Sequence, residues 1–158
     1  MGQGVEWGAH CCLLIAWLGE EGEAIPTAKL AEAFDLPPAY LNKCLQALSR
    51  AGILASTAGV KGGFRLGRPL EKITLLDVVV AIEGSEDAFR CSEIRQNGMG
   101  ADRSAGEFLR PCGIATAMRR AELTWRRELA AQTLADMMLN VPRDVAMRAK
   151  RWYAAVGN

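Results

Sequence analysis

The sequence lacks most features that would mark an enzyme, a membrane protein or a secreted protein. It contains one histidine, and neither a phosphate-binding glycine loop nor a nucleophile motif is found, so we do not expect an enzyme. Its apolar runs fall short of the ~18 residues of a membrane helix. The run from Cys11 to Leu18 also lacks the basic flank and cleavage site of a signal peptide. Five cysteines, two of them adjacent, do not suggest a disulfide framework. We therefore expect a cytoplasmic protein with thiols that are reduced or bound to a metal.

The net charge is small but unevenly distributed. The 158 residues carry a formal charge of +1, with 50% hydrophobic and 23% charged residues, which fits one globular domain plus an appended helix or two. This balance excludes a uniformly basic protein that wraps nucleic acid. The segment from Thr27 to Arg68, however, contains six basic residues and only two acidic ones. Such a local excess is typical of a surface that contacts phosphates.

Hydrophobic spacing in the first part of the chain predicts three helices and a hairpin. The helices are expected from about Val5 to Leu18, from Thr27 (as the N-cap) to the break at Leu36-Pro37, and from about Pro38 to Arg50. The second and third form a helix-turn-helix. The β-prone, glycine-rich stretch from Ile53 to Leu66 predicts a hairpin. These elements together predict a winged helix.

The second part of the chain is predicted to be helical around a loop. We expect a helix from Ile73 to Ile82 that Thr74 opens, then a loop rich in glycine and proline. A single long helix is expected from Ile114 to Leu139, and it is too long to bury itself on so small a domain. The fold class is thus mainly α with a small β-wing: a winged helix-turn-helix domain plus a long dimerisation helix.

Several runs of residues resemble the Rrf2 family of bacterial transcriptional regulators. They are Ala31–Phe34 with Tyr40-Leu41, then Leu48–Leu54, Gly62–Leu66 and Ile73–Val79 with Glu83-Gly84. The resemblance extends over about residues 5 to 140. It implies a dimeric winged-helix transcription factor, and many members of the family carry an iron–sulfur cluster. One departure is Ala58, which stands where family wings often have an arginine.

Further motifs resemble a redox-sensing member of the same family. They are Val5-Glu6-Trp7, His10-Cys11-Cys12, Cys91–Gln96, and Cys112–Ala115 with Ala117-Met118. This resemblance implies a [2Fe–2S] cluster held by Glu6, His10, Cys91 and Cys112. Cluster-binding members often have three cysteines close together after the Glu-Gly corner, and this chain has two.

The chemistry of these residue types is compatible with that cluster. A [2Fe–2S] centre needs four protein ligands, and histidine can replace thiolate on one iron. Cys91 and Cys112 fall in a polar loop, whereas a structural cysteine normally lies on an apolar stripe, as Cys44 does. Glu6 and His10 are four residues apart and share a helix face. By spacing alone this pair could equally be a solvated surface pair, and the same four ligands would also suit a structural zinc ion.

The helix-turn-helix and the wing supply the expected DNA contacts. The second helix of such a motif enters the major groove with its N-terminal residues near the bases. We therefore expect Tyr40 and Lys43 to contact DNA, and Lys61 and Arg65 to contact the backbone or the minor groove from the wing. Thr27 and Lys29 begin the preceding helix, where backbone amides can bind phosphate. For Thr27 simple capping is the plainer interpretation.

These observations lead to one main hypothesis and one alternative. The main hypothesis is a homodimeric, redox-sensing [2Fe–2S] regulator that binds pseudo-palindromic double-stranded DNA. Its parts would be a DNA-binding domain (residues 1–84), a cluster-binding loop (85–112), and a dimerisation helix with a C-terminal tail (113–158). Trp7, between Glu6 and His10, would couple redox state to DNA binding, although core packing explains a tryptophan more simply. The alternative is a winged-helix repressor with a thiol switch or a structural zinc and no iron–sulfur cluster.

Overall fold

The computed structural model describes residues 2–19, 22–59, 62–98 and 105–156. Its helices and strands are, in chain order, α1 (Gln3–Leu18), α2 (Thr27–Phe34), α3 (Pro38–Arg50), β1 (Leu54–Thr57), β2 (Gly63–Leu66), α4 (Leu75–Glu83), α5 (Gly113–Ala130), α6 (Leu134–Leu139) and α7 (Arg143–Val156). Single 3-10 turns occur at Leu70–Lys72, Ile94–Gln96 and Ala105–Phe108. The described residues are mostly helical with one two-stranded antiparallel sheet, which confirms the predicted mainly α fold with a small β-wing.

The chain forms two compact units. The first consists of Met1–Ser85 together with Leu129–Asn158, and the second is Glu86–Glu128. The first unit therefore contains α1 to α4, the hairpin, α6 and α7. The second contains two of the 3-10 turns and most of α5.

Helix α1 lies at the centre of the first unit and packs against α3, α4 and α7. Its segment from Cys11 to Ile15 is buried. On α3 the buried side chains follow the 3.6-residue period, as Leu41, Leu45 and Leu48 show. The predicted core positions of Cys11 and Cys44 are confirmed, and Cys12 is also fully buried.

The helix-turn-helix forms as predicted, but the start of α2 differs from the prediction. Pro26 occupies the N-cap position in an extended conformation, so Thr27 is the first helical residue and its side chain caps nothing. Asp35 then ends α2 in the left-handed conformation. Pro38 lies in the first turn of α3. Backbone N–H groups there have no partner within the helix, so proline, which lacks an N–H, removes no helical hydrogen bond.

The wing is a short antiparallel hairpin in which Leu54 pairs with Leu66 and Thr57 pairs with Gly63. A further bridge joins Ile25, just before α2, to Phe64. The Ile25 amide donates to the Phe64 carbonyl at 2.8 Å, and the Phe64 amide donates back at 2.9 Å. Ile25 and Phe64 are both buried, so this bridge attaches the wing to the core of the helix-turn-helix.

The prediction of a single long helix from Ile114 to Leu139 is wrong, because the helix is interrupted between α5 and α6. Thr133 begins α6 with a capping box, in which its side chain and that of Asp136 each accept from the other residue's amide. The Leu134 amide donates to the Ile73 carbonyl at 2.8 Å, and Leu134 is fully buried. The capping box and the burial of Leu134 in the first unit together explain why α5 does not continue into α6.

Helix α4 also differs slightly from its prediction. It starts at Leu75, and Thr74 is its N-cap in a second capping box, with Asp77. Ile73 precedes the helix in an extended conformation. In the part of the chain that the structure describes, no helix has the length and apolarity to cross a bilayer.

Candidate nucleic-acid interface and cysteine cavity

Helix α3 presents a polar face beside its buried leucines. Tyr40 is 47% exposed and Lys43 is exposed, as the helix-turn-helix prediction requires of base-contacting residues. The Tyr40 ring packs edge-on against Trp7 of α1, with ring centroids 5.2 Å apart and an interplanar angle of 85°. This edge-to-face contact is a favourable aromatic geometry. It holds Tyr40 against the first helix, a contact that spacing within α3 could not predict.

The start of α2 is occupied by contacts within the first unit. Thr27 is half-buried. The Lys29 ammonium group forms an ion pair with Glu32 at 3.3 Å and also donates to the carbonyl of Val156, the last residue of α7. In this conformation Lys29 is therefore directed toward α7 and its own helix. Its contact with phosphate remains a prediction.

On the wing, Arg65 is exposed on β2. Lys61, the other predicted wing contact, lies outside the described residues. Arg68, which contributes to the local positive charge, forms an ion pair with Asp77 at 3.2 Å. Its Nε is buried with no hydrogen-bond partner in the structure. Arg65 is thus exposed on the wing, and its contact with DNA remains a prediction.

Glu6 and His10 are both exposed on α1, one helical turn apart. The His10 imidazole lies against the ring of Phe34 on α2, with centroids 5.8 Å apart. Trp7, between them in sequence, is half-buried against Tyr40. The first helix therefore carries two polar side chains able to bind a metal, next to residues that contact both helices of the helix-turn-helix.

Cys91 and Cys112 lie in the second unit and line the same cavity of about 760 Å³. Both are free thiols; Cys91 is exposed and Cys112 is partly exposed. Cys112 directly precedes α5, and its Sγ accepts a hydrogen bond from the Ala115 amide at 3.3 Å. The positive end of a helix dipole favours negative charge at such a position.

Arg95, which no sequence pattern singled out, also lines this cavity. Its guanidinium donates to the Glu93 carboxylate through two nitrogens, one of them at 2.8 Å, and to the Arg110 carbonyl at 3.2 Å. The hydrogen bond to Glu93 raises the pKa of Arg95. The same bond lowers the pKa of Glu93. The only indication of this ion pair in the sequence is that a glutamate and an arginine follow shortly after Cys91.

The donors do not form a complete metal site within the described chain. Among residues 2–19, 22–59, 62–98 and 105–156, no group of three or more His, Cys, Asp or Glu side chains could hold a metal ion. The structure brings Cys91 and Cys112 to one cavity and keeps Glu6 and His10 on α1. The predicted ligand set remains a prediction.

Comparison with known proteins identifies the family. Residues 1–140 match the model of the Rrf2 family, described as an iron-dependent transcriptional regulator. The chain belongs to the Rrf2 family. It is 30% identical over 132 residues to the protein rrf2 of Nitratidesulfovibrio vulgaris, covering 84% of this chain and 82% of that protein. It is 32% identical over 89 residues to the HTH-type transcriptional regulator IscR of Photorhabdus laumondii, covering 56% of this chain and 53% of IscR.

A solved structure supports the same fold. CymR, described as the global cysteine regulator of B. subtilis, superposes with a TM-score of 0.65 at 20% identity, covering 90% of this chain and 98% of CymR. The chain is therefore an Rrf2-family DNA-binding transcriptional regulator. The Rrf2 match ends at residue 140, so α7 (Arg143–Val156) lies beyond it.

Proposed function

We propose that this Rrf2 regulator is a homodimer that senses redox state through a [2Fe–2S] cluster held by Glu6, His10, Cys91 and Cys112. The observation that carries the proposal is the shared cavity of Cys91 and Cys112, two free thiols from separate parts of the second unit. The motifs around these ligands resemble those of the redox-sensing regulator RsrR. When bound, the cluster would supply one-electron redox chemistry.

The donor types fit such a cluster. The cavity offers two thiols, and the ion pair of Arg95 with Glu93 lines the same space. Glu6 and His10 would complete the four ligands, and imidazole ligation is known for [2Fe–2S] centres. Cys112 directly precedes α5, the helix proposed below as the dimer interface. We therefore propose that the two cysteines of one protomer meet the Glu6–His10 pair of its partner.

A dimer would use α5 as its interface. Ile114 and Met118 lie one turn apart on this helix, and both are exposed in the single chain. Exposed apolar side chains in such a row are typical of a helix that packs on a partner. The proposed dimerisation segment, residues 113–158, thus includes a helix interrupted at residues 131–133, with α6 and α7 following it.

The contacts of Trp7 support its proposed role in redox coupling. Glu6 and His10 flank it on α1, and its ring contacts Tyr40 on α3. A change in the bonding of Glu6 or His10 would therefore reach a proposed base-contacting residue through one aromatic ring. Trp7→Phe should preserve cluster binding but reduce the difference in DNA affinity between the oxidised and reduced protein. An unchanged difference would exclude this route.

The visible absorption spectrum of anaerobically purified protein tests the cluster. We expect a brown protein with about two iron and two sulfide per chain, as a [2Fe–2S] centre requires. The absorbance should be lost in Cys91→Ala and Cys112→Ala but retained in Cys44→Ala, which removes a buried core thiol instead. A colourless wild-type protein with a full complement of thiols would refute the proposal.

Mixing two inactive variants tests the assignment of ligands to different protomers. His10→Ala and Cys91→Ala are purified with different tags, and the heterodimer is isolated. Ligation across protomers leaves one intact site per heterodimer, so about half of the wild-type cluster absorbance should return on reconstitution. His10→Ala homodimers treated in the same way serve as the control. If the heterodimer gains nothing over that control, all ligands come from one chain.

DNA binding is tested through its salt dependence. Arg65→Ala should weaken binding to all sequences and reduce the salt-dependence slope by about one unit, since a phosphate contact releases one counterion. Lys61→Ala and Lys29→Ala test the other two basic contacts in the same way. Tyr40→Ala and Lys43→Ala should instead change the preference among operator sequences. Uniform losses would argue against base recognition by these two residues.

A further inference from the structure

Helices α1, α2 and α7 line an open cavity of about 310 Å³ within the first unit. Leu14 and Trp17 of α1 form one wall, and Phe34 of α2 contributes to the second. Val145 and Trp152 belong to the third wall, on α7. Because the Rrf2 match ends before α7, this third wall comes from a segment outside the family model.

The cavity combines aromatic walls with a single charge. Three of its lining side chains are aromatic: Trp17, Phe34 and Trp152. Among the described residues that line it, Arg148 is the one with a charged side chain. Flat apolar walls suit a planar ring, and a guanidinium group binds a carboxylate through two parallel hydrogen bonds. The lining therefore matches a small aromatic molecule that carries a carboxylate.

Arg148 is available to such a ligand. Its guanidinium lies 3.7 Å from the Asp144 carboxylate one turn earlier on α7, and both side chains are more than 60% exposed. An exposed pair at this distance contributes little free energy, so a ligand carboxylate can replace Asp144 as its partner. The size of the cavity is at the lower end for small-molecule sites and too small for a helix about 10 Å wide. A peptide helix is thereby excluded as the occupant.

We propose that this cavity binds a small aromatic carboxylate between α7 and the helix-turn-helix. The site lies next to the DNA-binding elements, since Phe34 belongs to α2 and also contacts His10. The end of α7 is already attached to the start of α2 through the Lys29–Val156 hydrogen bond. A ligand that contacts both helices would stabilise α7 against α2 and raise the thermal unfolding temperature of the first unit.

Benzoate and indole-3-acetate are the probes, with benzamide and indole as their neutral counterparts. Titration of the full-length protein by calorimetry and by saturation-transfer NMR should show saturable binding of the carboxylates. The neutral probes should bind about two- to fivefold more weakly, because they lose an ion pair with an exposed guanidinium. Ala149→Leu extends a cavity-lining side chain into this space and should abolish binding.

Arg148→Gln leaves the apolar walls unchanged and provides an independent test. It should remove the preference for carboxylates over neutral probes, whereas Arg151→Gln should not, because Arg151 is an exposed arginine on the same helix that does not line the cavity. Asp144→Asn should strengthen carboxylate binding by removing the competing charge. Absence of saturable binding at millimolar concentrations, or equal binding by Arg148→Gln and wild type, would overturn the proposal. Retention of binding in Ala149→Leu would place the ligand elsewhere and overturn it as well.

Discussion

Gly63 offers a direct test of how the wing is attached to the helix-turn-helix. It is the first residue of β2, and it lies beside the Ile25–Phe64 bridge. A Cβ atom at this position would stand 2.3 Å from the Ile25 carbonyl oxygen and 2.4 Å from its carbonyl carbon. It would also stand 2.7 Å from the Pro26 nitrogen. All three atoms belong to the backbone, so a side-chain rotation cannot relieve the clash. Gly63→Ala must therefore separate the strand from the segment before α2.

The expected loss of stability follows from the contacts at this bridge. Separation breaks the two hydrogen bonds between Ile25 and Phe64, each contributing about 1 kcal/mol. It also exposes part of two side chains that are 0% and 3% exposed in the native protein. Alanine lowers the entropy of the unfolded chain and offsets about 0.4–1 kcal/mol of this loss. Because lost burial adds to the hydrogen bonds, we expect a net destabilisation of about 2–3 kcal/mol.

Urea unfolding followed by circular dichroism measures this change. Gly113→Ala is the control, since a Cβ at Gly113 meets nothing within 4 Å and should leave stability nearly unchanged or slightly raised. Gly63→Ala should also weaken DNA binding, because Arg65 lies on the displaced strand. A destabilisation below about 0.5 kcal/mol, the range of ordinary surface substitutions, would refute the steric argument.

Three further predictions concern α6, α5 and the thiols. Leu134→Ala should lower the free energy of unfolding by about 3 kcal/mol, because it leaves a cavity at a fully buried position, whereas Leu134→Met should cost less than about 1.5 kcal/mol in the same urea assay. The hydrogen bond from Arg126 lowers the pKa of Glu122. The ionised Glu122 therefore stabilises the folded protein above the unfolded-state pKa of about 4.3, and this stabilisation is lost as the pH falls. Glu122→Gln should therefore be less stable than wild type at pH 7, and the difference should shrink below about pH 4; a constant difference would contradict this. In native protein without the cluster, a thiol reagent at pH 8 should rapidly label two cysteines, Cys91 and Cys112. Labelling of all five cysteines at one rate would contradict the structure. The thiols expected to react slowly are Cys11 and Cys12, where burial raises the pKa to about 12, and the buried Cys44.

Elements with a clear hydrophobic period were predictable from the sequence. Helix α3 has the predicted bounds, and its leucines face the core. Apolar residues that recur about every 3.6 positions fall on one face of a helix, so the sequence alone shows which face is buried. The hairpin followed from β-prone residues on either side of glycines. The start of α2 was misjudged by one residue. Threonine is a favoured N-cap, but here Pro26 holds the extended conformation of that position.

The candidate sites depended on contacts that local pattern does not encode. Spacing alone did not connect Cys91 with Cys112, which the sequence grouped only by resemblance to a family member, whereas the fold brings both to one cavity with Arg95. Likewise, the contact of Trp7 with Tyr40 joins two helices that are distant in the chain. Spacing can place two residues on one helix face, as with Glu6 and His10, but it cannot identify which other element that face meets.

The interruption between α5 and α6 shows how a local signal and a tertiary contact act together. The stretch Ala130-Ala131-Gln132 contains good helix formers and neither glycine nor proline, so propensity alone favours a continuous helix. Yet Thr133-Leu134-Ala135-Asp136 repeats the pattern of Thr74-Leu75-Leu76-Asp77, and both runs form capping boxes. The two threonines also face each other in a β-bridge, flanked by hydrogen bonds from Leu75 to Gln132 and from Leu134 to Ile73. A capping box alone contributes about 1 kcal/mol, which is too little to end a good helix, whereas burial of Leu134 adds about 2 kcal/mol more. The cap therefore fixes the position of the break, and the burial of Leu134 in the first unit makes the break favourable.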